Sequence, residues 1–294
     1  LLENSNHPLS AKTAYEKAIQ YYQRGNMHKR LPNVYNNLGY VYYTLNDLPM
    51  QAYCYKKALF ICDSLSLPQI YRDNSYFMLA FCYVQLKNYP QAHYYLNKVY
   101  PQINDMPLYN RYFLLNTFVN FYYYQKKYEE SWSYLMKIFD EVAQHQNDMP
   151  SEYATLEANY ADLSIKLNKD LNKAKDYLQK AKAYFQSTKV AISIYYIMTM
   201  ELELALKQND LQTAASLVQQ ISHDSTVNVP INYQQRRNDV LTEYYKRTGN
   251  YSKALAILAA QLPIEDSIRS EEHNNYVAEL DLSLIHISEP TRLG

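Results

Sequence analysis

Residues 86–99 read LKNYPQAHYYLNKV, and the same order of residue types returns in RTGNYSKALAIL at 247–258. Each stretch has a polar turn, an aromatic residue, a small residue three positions later and an apolar residue four positions after that. KKYEESWSYLMKI (126–138) keeps this order, and KQNDLQTAASLVQQI (207–221) keeps it with leucine in the aromatic place. Segments that recur in this way predict an array of repeats that stack on one another.

The small residue of each segment gives the period of the array. It recurs at Ala52, Ala92, Ser131, Ala174, Ala214 and Ala254, so successive positions differ by 40, 39, 43, 40 and 40 residues. Within a repeat the apolar spacing is helical: Tyr76, Leu79, Ala80 and Tyr83 fall at i, i+3, i+4 and i+7. The pattern predicts two helices in each repeat and an all-α chain.

Prolines and turn residues indicate where these helices begin. Proline is tolerated in the first turn of a helix, where its missing N–H has no partner in any case. First helices of repeats are preceded by Pro32, Pro68, Pro107, Pro150 and Pro230, and second helices are opened by Pro8, Pro49 and Pro90. The turns between paired helices supply N-cap candidates at Asn88, Asp170, Asp210 and Asn250. Gly249 offers a left-handed helix end.

Composition limits the partners of the chain. Lysine plus arginine equals aspartate plus glutamate at 29 each, so no global field attracts nucleic acid or an anionic membrane. The chain has 34 tyrosines and only 4 glycines. Scarce glycine argues against tight-turned β folds and phosphate-cradling loops, whereas abundant tyrosine suits helices packed through amphipathic rings. No nucleic-acid partner is expected for this region.

Catalytic chemistry has no support in the sequence. The motifs GxGxxG, GxxxxGK[ST], HExxH and GxSxG are absent. Cys54, Cys62 and Cys82 form no CxxC pair and are expected to be buried thiols. The histidines have no metal-ligand spacing, so the sequence predicts neither an enzyme nor a cofactor or metal site.

The repeats resemble the tetratricopeptide repeat (TPR) family. The carrying residues are Tyr35-x-x-Leu38-Gly39-x-x-Tyr42 in the first full repeat, and Tyr76-x-x-Leu79-Ala80-x-x-Tyr83 with Asn88-Tyr89, Ala92 and Leu96 in the second. The period is nearer 40 than the family's usual 34. The resemblance implies a right-handed α-solenoid of antiparallel helix pairs over residues 1–262. Its parts are a half repeat at 1–25 and full repeats at about 31–62, 70–100, 108–141, 151–184, 190–222 and 231–262.

Both ends of the sequence differ from the repeats. LLENS (1–5) is expected to be the tail of a missing first helix, so the array begins within a repeat. Residues 263–281 are expected to start a C-terminal helix. LSLIHISEPTR (282–292) resembles a translated transposase sequencing adapter, so residues 282–294 are expected to be a non-native, adapter-derived tail.

The family resemblance also implies a binding surface. In TPR arrays the first helices of successive repeats line a concave groove. The groove positions carried over to this sequence are Asn36, Tyr40, Tyr43, Asn74, Phe77, Phe81, Asn116, Asn120 and Tyr123. Amides can pair with the backbone of an extended peptide and aromatic rings supply contact area, so the expected partner is a protein or an extended peptide. Further along the array, Arg236, Asp239, Glu243, Lys246 and Arg247 are expected to make the groove charged.

Three functions remain open at the level of the sequence. Residues 266–281 resemble the helix that follows the repeats in membrane-anchored TPR regulators of Bacteroidetes, which implies a sensor or interaction domain at the periplasmic face of the inner membrane. In that case the membrane is reached only through a missing C-terminal segment. The alternatives are a free cytoplasmic adaptor that joins two proteins and an accessory domain of a lost catalytic module. The sequence gives no oligomeric state.

Overall fold

A computed structural model describes residues 8–45, 47–223 and 231–288, and these residues form thirteen α-helices and two short 3-10 segments. The 3-10 segments are His28–Arg30 and Tyr100–Asp105. The helices are α1 Pro8–Arg24, α2 Leu31–Thr44, α3 Leu48–Ser64, α4 Ile70–Gln85, α5 Tyr89–Val99, α6 Leu108–Tyr124, α7 Tyr128–Gln144, α8 Pro150–Leu167, α9 Leu171–Ser187, α10 Ala191–Lys207, α11 Leu211–His223, α12 Ile231–Arg247 and α13 Tyr251–Ser288. No strand occurs within these ranges, and the all-α prediction is confirmed.

The chain forms two compact lobes. The first lobe comprises residues up to Tyr124 together with those from Glu271 onward, and the second comprises Gln125–Ser270. LLENS, Pro230 and the last six residues of the expected adapter tail lie outside the described residues.

Side chains in the turns start the second helices of the repeats. Asn88 accepts from the backbone N–H of Gln91, and Asn250 accepts from that of Lys253, at 3.3 Å each. Asp210 accepts from the N–H of Thr213 at 3.0 Å. Such bonds satisfy N–H groups that have no partner within the helix. These three predicted caps are confirmed.

The fourth predicted cap, Asp170, is wrong. Its backbone is left-handed at φ 45° and its side chain caps no N–H of α9. The carboxylate instead accepts from the Tyr160 hydroxyl at 3.3 Å. A cap absent from the predicted set occurs at Asp47, which accepts from the N–H of Met50 at 3.1 Å.

The helix ends explain how the chain manages with so few glycines. Gly249 has φ +72°, which confirms the predicted left-handed end. Within the described ranges, eight other left-handed positions are filled by non-glycine residues: Asn26, Ser66, Lys87, Lys126, Asn168, Asp170, Lys189 and Asn209. Polar residues, asparagine above all, tolerate this conformation better than β-branched ones. The turns therefore reverse direction with little glycine.

Paired helices approach closely because small residues occupy their contact surface. The six small residues that define the period are at most 3% exposed. In the α2–α3 pair, a Cβ built at Gly39 would lie 2.8 Å from Cζ and 2.9 Å from Cε1 of Tyr55, whose ring is fully buried. Glycine at position 39 thus makes room for the tyrosine ring.

Buried apolar clusters hold the helices of each lobe together. In the first lobe, Leu31, Leu38 and Tyr42 of α2 pack with Cys54 and Ile61 of α3. In the second, α10, α11 and α12 share one cluster that includes the fully buried Leu202 and Ala214. Burying one such leucine contributes about 1.5–3 kcal/mol. All three cysteines are buried, as predicted, and burial raises the pKa of the Cys62 thiol to about 11.

The C-terminal helix differs from the prediction of a separate element starting at 263. Helix α13 begins at Tyr251, as the second helix of the sixth repeat, and continues without a break to Ser288 with Pro263 inside it. Along the described helices, none has both the length and the apolar character needed to cross a bilayer.

Candidate functional site

The first helices of three successive repeats in the first lobe enclose a cavity of about 460 Å³, which we call the aromatic cavity. It is lined by Tyr40 and Tyr43 of α2, by residues of α4 and α6, by the last residue of α5 and by the chain between α5 and α6. The α4 residues are Asp73, Asn74, Phe77, Met78 and Phe81; the others are Val99, Met106, Tyr109, Asn110 and Phe113. Its volume is within the usual range of ligand sites, roughly 300–1,000 Å³.

Aromatic rings from the three helices form the wall of the aromatic cavity. The ring centroid of Phe113 lies 4.7 Å from that of Phe77 and 5.2 Å from that of Phe81. The Tyr43 ring meets Phe81 edge-on at 5.5 Å, and Tyr40 lies 6.1 Å from Tyr43. These separations are those of favourable aromatic pairs, so the wall is held in place by its own contacts.

The rim of the cavity keeps large apolar surface in contact with solvent. Tyr40, Tyr43 and Tyr109 are 44%, 42% and 56% exposed. The side chains of Asn74 and Asn110 are also exposed at the rim. Partial burial and the neighbouring Tyr40 raise the pKa of the Tyr43 hydroxyl, so it stays protonated at neutral pH. The rim therefore presents rings, hydroxyls and amides together.

The only charged side chain among the cavity-lining residues is a carboxylate. Asp73 is half-buried on the cavity lining and accepts a hydrogen bond from Gln69 Nε2 at 2.8 Å. The arginines nearby are held by other groups: Arg72 pairs with the Asp63 carboxylate at 2.8 Å and donates to the backbone oxygens of Leu67 and Cys62, and Arg111 donates to the backbone oxygen of Met106. The cavity consequently favours a cation over an anion.

Five of the nine predicted groove residues line this cavity: Tyr40, Tyr43, Asn74, Phe77 and Phe81. Asn36 does not, because it is 6% exposed and its Oδ1 accepts from the buried Ser75 hydroxyl at 2.8 Å. That bond joins α2 to α4. The expectation that Asn36 faces the groove is wrong, since its amide is used inside the lobe.

The remaining three predicted residues lie further along α6. Asn116, Asn120 and Tyr123 are half-buried and do not line the aromatic cavity. Seven lining residues were not predicted: Asp73, Met78, Val99, Met106, Tyr109, Asn110 and Phe113. The signal for Phe113 was available, because Asn110 and Phe113 have the same spacing as Asn74 and Phe77.

In the second lobe, one of the five residues expected to make the groove charged, Arg236, is instead the centre of an internal ion-pair network. The other four are exposed: Asp239, Glu243, Lys246 and Arg247. The Arg236 guanidinium binds both oxygens of Asp162, at 2.6 and 2.8 Å, and an oxygen of Glu203 at 2.8 Å. It also donates to the Tyr196 hydroxyl at 2.6 Å, and that hydroxyl donates to Asp162 at 2.9 Å. Arg236 thus links α8, α10 and α12, and the prediction that it offers groove charge is wrong.

The charges of this network compensate one another. Burial alone would raise the pKa of Asp162, but the charge and hydrogen bonds of Arg236 outweigh it and lower that pKa. The same balance, with help from Lys166 at 2.8 Å, lowers the pKa of Glu203. Two carboxylates and two cations therefore stay charged inside the lobe. Removing one partner of such a buried ion pair is strongly destabilising, because the other charge is left buried without compensation.

A third buried carboxylate of this lobe, Glu157, is compensated too weakly to stay charged at all pH values. Glu157 of α8 is 3% exposed, and its Oε1 has no hydrogen-bond partner. Burial raises the pKa of Glu157 to about 7, against the opposing effects of the Lys180 charge and a hydrogen bond from Tyr153. Glu157 is therefore a titrating group inside the protein near neutral pH.

Known structures share this fold at low sequence identity. No protein-family model matches the sequence, and no curated protein matches it. A structure from the functional characterization of Pseudomonas aeruginosa pilF aligns with 86% of this chain and 99% of its own, at TM-score 0.51 and 17% identity. The apo form of RapI aligns with 94% of this chain and 82% of its own, at TM-score 0.61 and 15% identity. Both are TPR-like helical-repeat structures, so the predicted TPR-like α-solenoid fold is confirmed.

Proposed function

We propose that the chain is a non-catalytic scaffold that binds a segment of another protein in the aromatic cavity. The main observation in support is that aromatic rings from the first helices of three successive repeats converge there and remain partly exposed. Large exposed apolar patches on soluble proteins mark interaction sites. Aromatic residues in such pockets commonly dominate binding energy.

The lining of the cavity favours a particular kind of segment. The rings of Phe77, Phe81 and Phe113 suit a large apolar side chain. Asn74 and Asn110 flank it, and each amide can donate to and accept from an extended backbone. Asp73 then favours a lysine or arginine beside the apolar anchor, because it is the only charge on the lining. The proposed ligand is an extended peptide with an apolar anchor next to a basic residue.

Panning a random peptide library against the whole chain, followed by calorimetry on the selected peptides, tests this proposal. Tyr109→Ala and Phe81→Ala should each weaken binding about 10- to 100-fold, as expected for an aromatic anchor contact. Tyr94→Ala is the matched control, because Tyr94 is 52% exposed, close to the 56% of Tyr109, and lies outside the cavity. Selected peptides that bind all three variants equally would refute the site.

The three residues further along α6 test how far the bound segment extends. If it continues past Phe113, Asn116→Ala and Asn120→Ala should weaken binding by roughly 1–3 kcal/mol through lost buried hydrogen bonds. Unchanged affinity would confine the contact to the aromatic cavity.

Placement of this scaffold in a membrane-anchored signalling or transcriptional regulator, with the cell envelope as its compartment, is supported by the resemblance of residues 266–281 alone. The sequence of the intact gene tests it. About 20 consecutive apolar residues soon after Asp281 would support the anchored regulator. A stop codon there would favour the free adaptor, and a catalytic motif would favour the accessory domain.

A further inference from the structure

The aromatic cavity has a polar end and an apolar end. Polar side chains from the starts of α4 and α6 form one end: Asp73, Asn74, Tyr109 and Asn110. The first helices of successive repeats run in the same direction in a solenoid of this kind, so these starts lie at the same end of the cavity. Tyr43 and Phe81 lie later in α2 and α4, and their rings meet at 5.5 Å towards the other end.

The polar end carries a negative charge and no positive one. Asp73 is its charged residue, and the amides of Asn74 and Asn110 lie beside it. Carboxylate, amide and tyrosine oxygens can all accept hydrogen bonds. Gln69 donates to Asp73, whereas no described lysine or arginine pairs with this carboxylate. The polar end therefore complements a group that has a positive charge and several N–H donors.

The Tyr109 ring at this end offers a face to a cation. It is 56% exposed, and no described lysine or arginine lies over it. Elsewhere in the chain such contacts are common, for example that of Lys56 with Tyr83, in which Nζ lies 5.6 Å from the ring centroid. The face of an aromatic ring attracts a cation electrostatically. A cation at the polar end can therefore meet both a ring and the Asp73 carboxylate.

The second lobe shows which side chain satisfies this combination of groups. The guanidinium carbon of Arg236, on α12, lies 5.0 Å from the ring centroid of Tyr196, on α10. The same guanidinium binds the two carboxylate oxygens of Asp162, on α8, at 2.6 and 2.8 Å. Three successive first helices thus bring together an arginine, a tyrosine ring and an aspartate. In the first lobe, three successive first helices give the cavity its rings and its aspartate, but no arginine.

A guanidinium fits the polar end better than an ammonium does. It is planar, stacks on aromatic faces and has five N–H donors in a fixed geometry. It is also more weakly hydrated than a lysine ammonium, so it enters a cavity lined largely by rings at a lower cost. A quaternary ammonium has no N–H group and would leave Asp73 and the two amides without a donor.

We propose that the segment bound in the aromatic cavity carries an arginine whose guanidinium stacks on the Tyr109 ring and pairs with Asp73. The apolar anchor of the segment then lies towards Phe81, at the other end. This assignment rests on the proposed function, and it adds the identity of the basic residue and the end of the cavity that the residue occupies.

Oriented peptide libraries test the assignment on the immobilised whole chain. One position is fixed as arginine, as its neutral isostere citrulline, as lysine or as leucine, and the random positions exclude arginine and lysine. The arginine library should be retained at least about 10-fold better than the citrulline library, because the ion pair and the ring contact both depend on the charge. The lysine library should fall between them.

Variants of the polar end separate charge from apolar contact. Asp73→Asn and Tyr109→Leu should each lower retention of the arginine library about 10-fold and leave the leucine library within about twofold. Tyr109→Phe keeps the ring face and should retain the arginine library. Asp140→Asn is the matched control, because it removes the same charge from an exposed site of α7 outside the cavity.

The outcomes distinguish this assignment from the proposed function. Equal retention of the arginine and citrulline libraries would overturn the assignment and leave peptide binding intact. An arginine preference that survives Asp73→Asn would overturn it too. If the wild type retains no library better than Phe81→Ala does, the proposed function fails and the assignment fails with it.

Discussion

Replacing Glu157 with glutamine should stabilise the protein above neutral pH. The Glu157 carboxyl is 3% exposed, and its pKa is raised from 4.5 to about 7 by burial. At about 1.4 kcal/mol per pKa unit, its charged form costs the folded state at most about 3.5 kcal/mol. The folded state therefore binds a proton more tightly than the unfolded chain does.

The sign of the pH dependence follows from that difference. Below pH 4.5 the carboxyl is neutral in both states and costs nothing. Between pH 4.5 and about 7 the wild-type protein should lose stability as the pH rises, and above about 7 the whole penalty is present. Glu157→Gln removes the charge, so the variant should gain about 1–3 kcal/mol at pH 8.5 and match the wild type at pH 4.

Thermal unfolding of both proteins between pH 4 and 8.5, followed by circular dichroism, measures this difference. A gain of about 1–3 kcal/mol corresponds to roughly 2–5 °C for a chain of this size. Glu130→Gln, at an exposed carboxylate of α7, is the control and should follow the wild type at every pH. If the difference in unfolding free energy between the wild type and Glu157→Gln is the same at pH 4 and pH 8.5, the carboxyl is not buried as described.

Three further substitutions probe packing, the ion-pair network and the inter-repeat hydrogen bond. Gly39→Ala should lower the free energy of unfolding by about 1–2 kcal/mol, because its Cβ would lie 2.8 Å from the Tyr55 ring, and overpacking outweighs the helix propensity gained. Arg236→Met should cost about 3–5 kcal/mol in urea denaturation at pH 7, since Asp162 is left charged and buried without its partner. That loss should shrink as the pH falls and Asp162 is protonated. Asn36→Ala should cost about 1–3 kcal/mol in stability by leaving the Ser75 hydroxyl unpaired, yet leave peptide affinity within about twofold.

Each of these predictions has a matched comparison. Combining Gly39→Ala with Tyr55→Leu should cost less than the sum of the two single changes, because the clash is then removed. Lys169→Met breaks an exposed pair with Glu129 and should cost under about 1 kcal/mol, unlike Arg236→Met. Asn74→Ala should show the opposite pattern to Asn36→Ala, with affinity lost and stability kept. The first prediction is contradicted if the costs of Gly39→Ala and Tyr55→Leu simply add in the double variant. The second is contradicted if Arg236→Met and Lys169→Met cost the same stability. The third is contradicted if Asn36→Ala and Asn74→Ala change stability and affinity in the same way.

The fold was predictable because its signals repeat. Six small residues, all buried, recur at about 40-residue intervals, and each independently indicates the same helix contact. The failure of Asp170 to cap α9 was not predictable in this way. An acidic residue in a turn fits an N-cap in sequence, but a left-handed backbone at that residue and the nearby Tyr160 hydroxyl redirect the side chain.

The site was only partly predictable, because side-chain direction depends on the neighbouring repeat. Asn36 and Asn74 are the same residue type on first helices, yet one bonds Ser75 inside the lobe and the other is exposed at the cavity rim. The direction of the Arg236 side chain is equally hard to predict. The sequence suggests an exposed cation, whereas the structure pairs it with carboxylates 33 and 74 residues earlier in the chain. Local patterns contain no information about contacts at such separations.

Tyrosines pose the same problem, and the partner of each ring resolves it. Tyr83 of α4 is fully buried and lies parallel to Tyr95 of α5 at 5.6 Å, so a paired helix covers it. Tyr43 of α2 meets Phe81, which belongs to another first helix, and stays 42% exposed. The ring contacts described for Tyr43 are with Tyr40 on its own helix and with Phe81, both on first helices, and they leave part of its surface open. Contact between this apolar surface and water is unfavourable, and a ligand that covers the rings removes it. This is the physical reason to expect an occupant in the aromatic cavity.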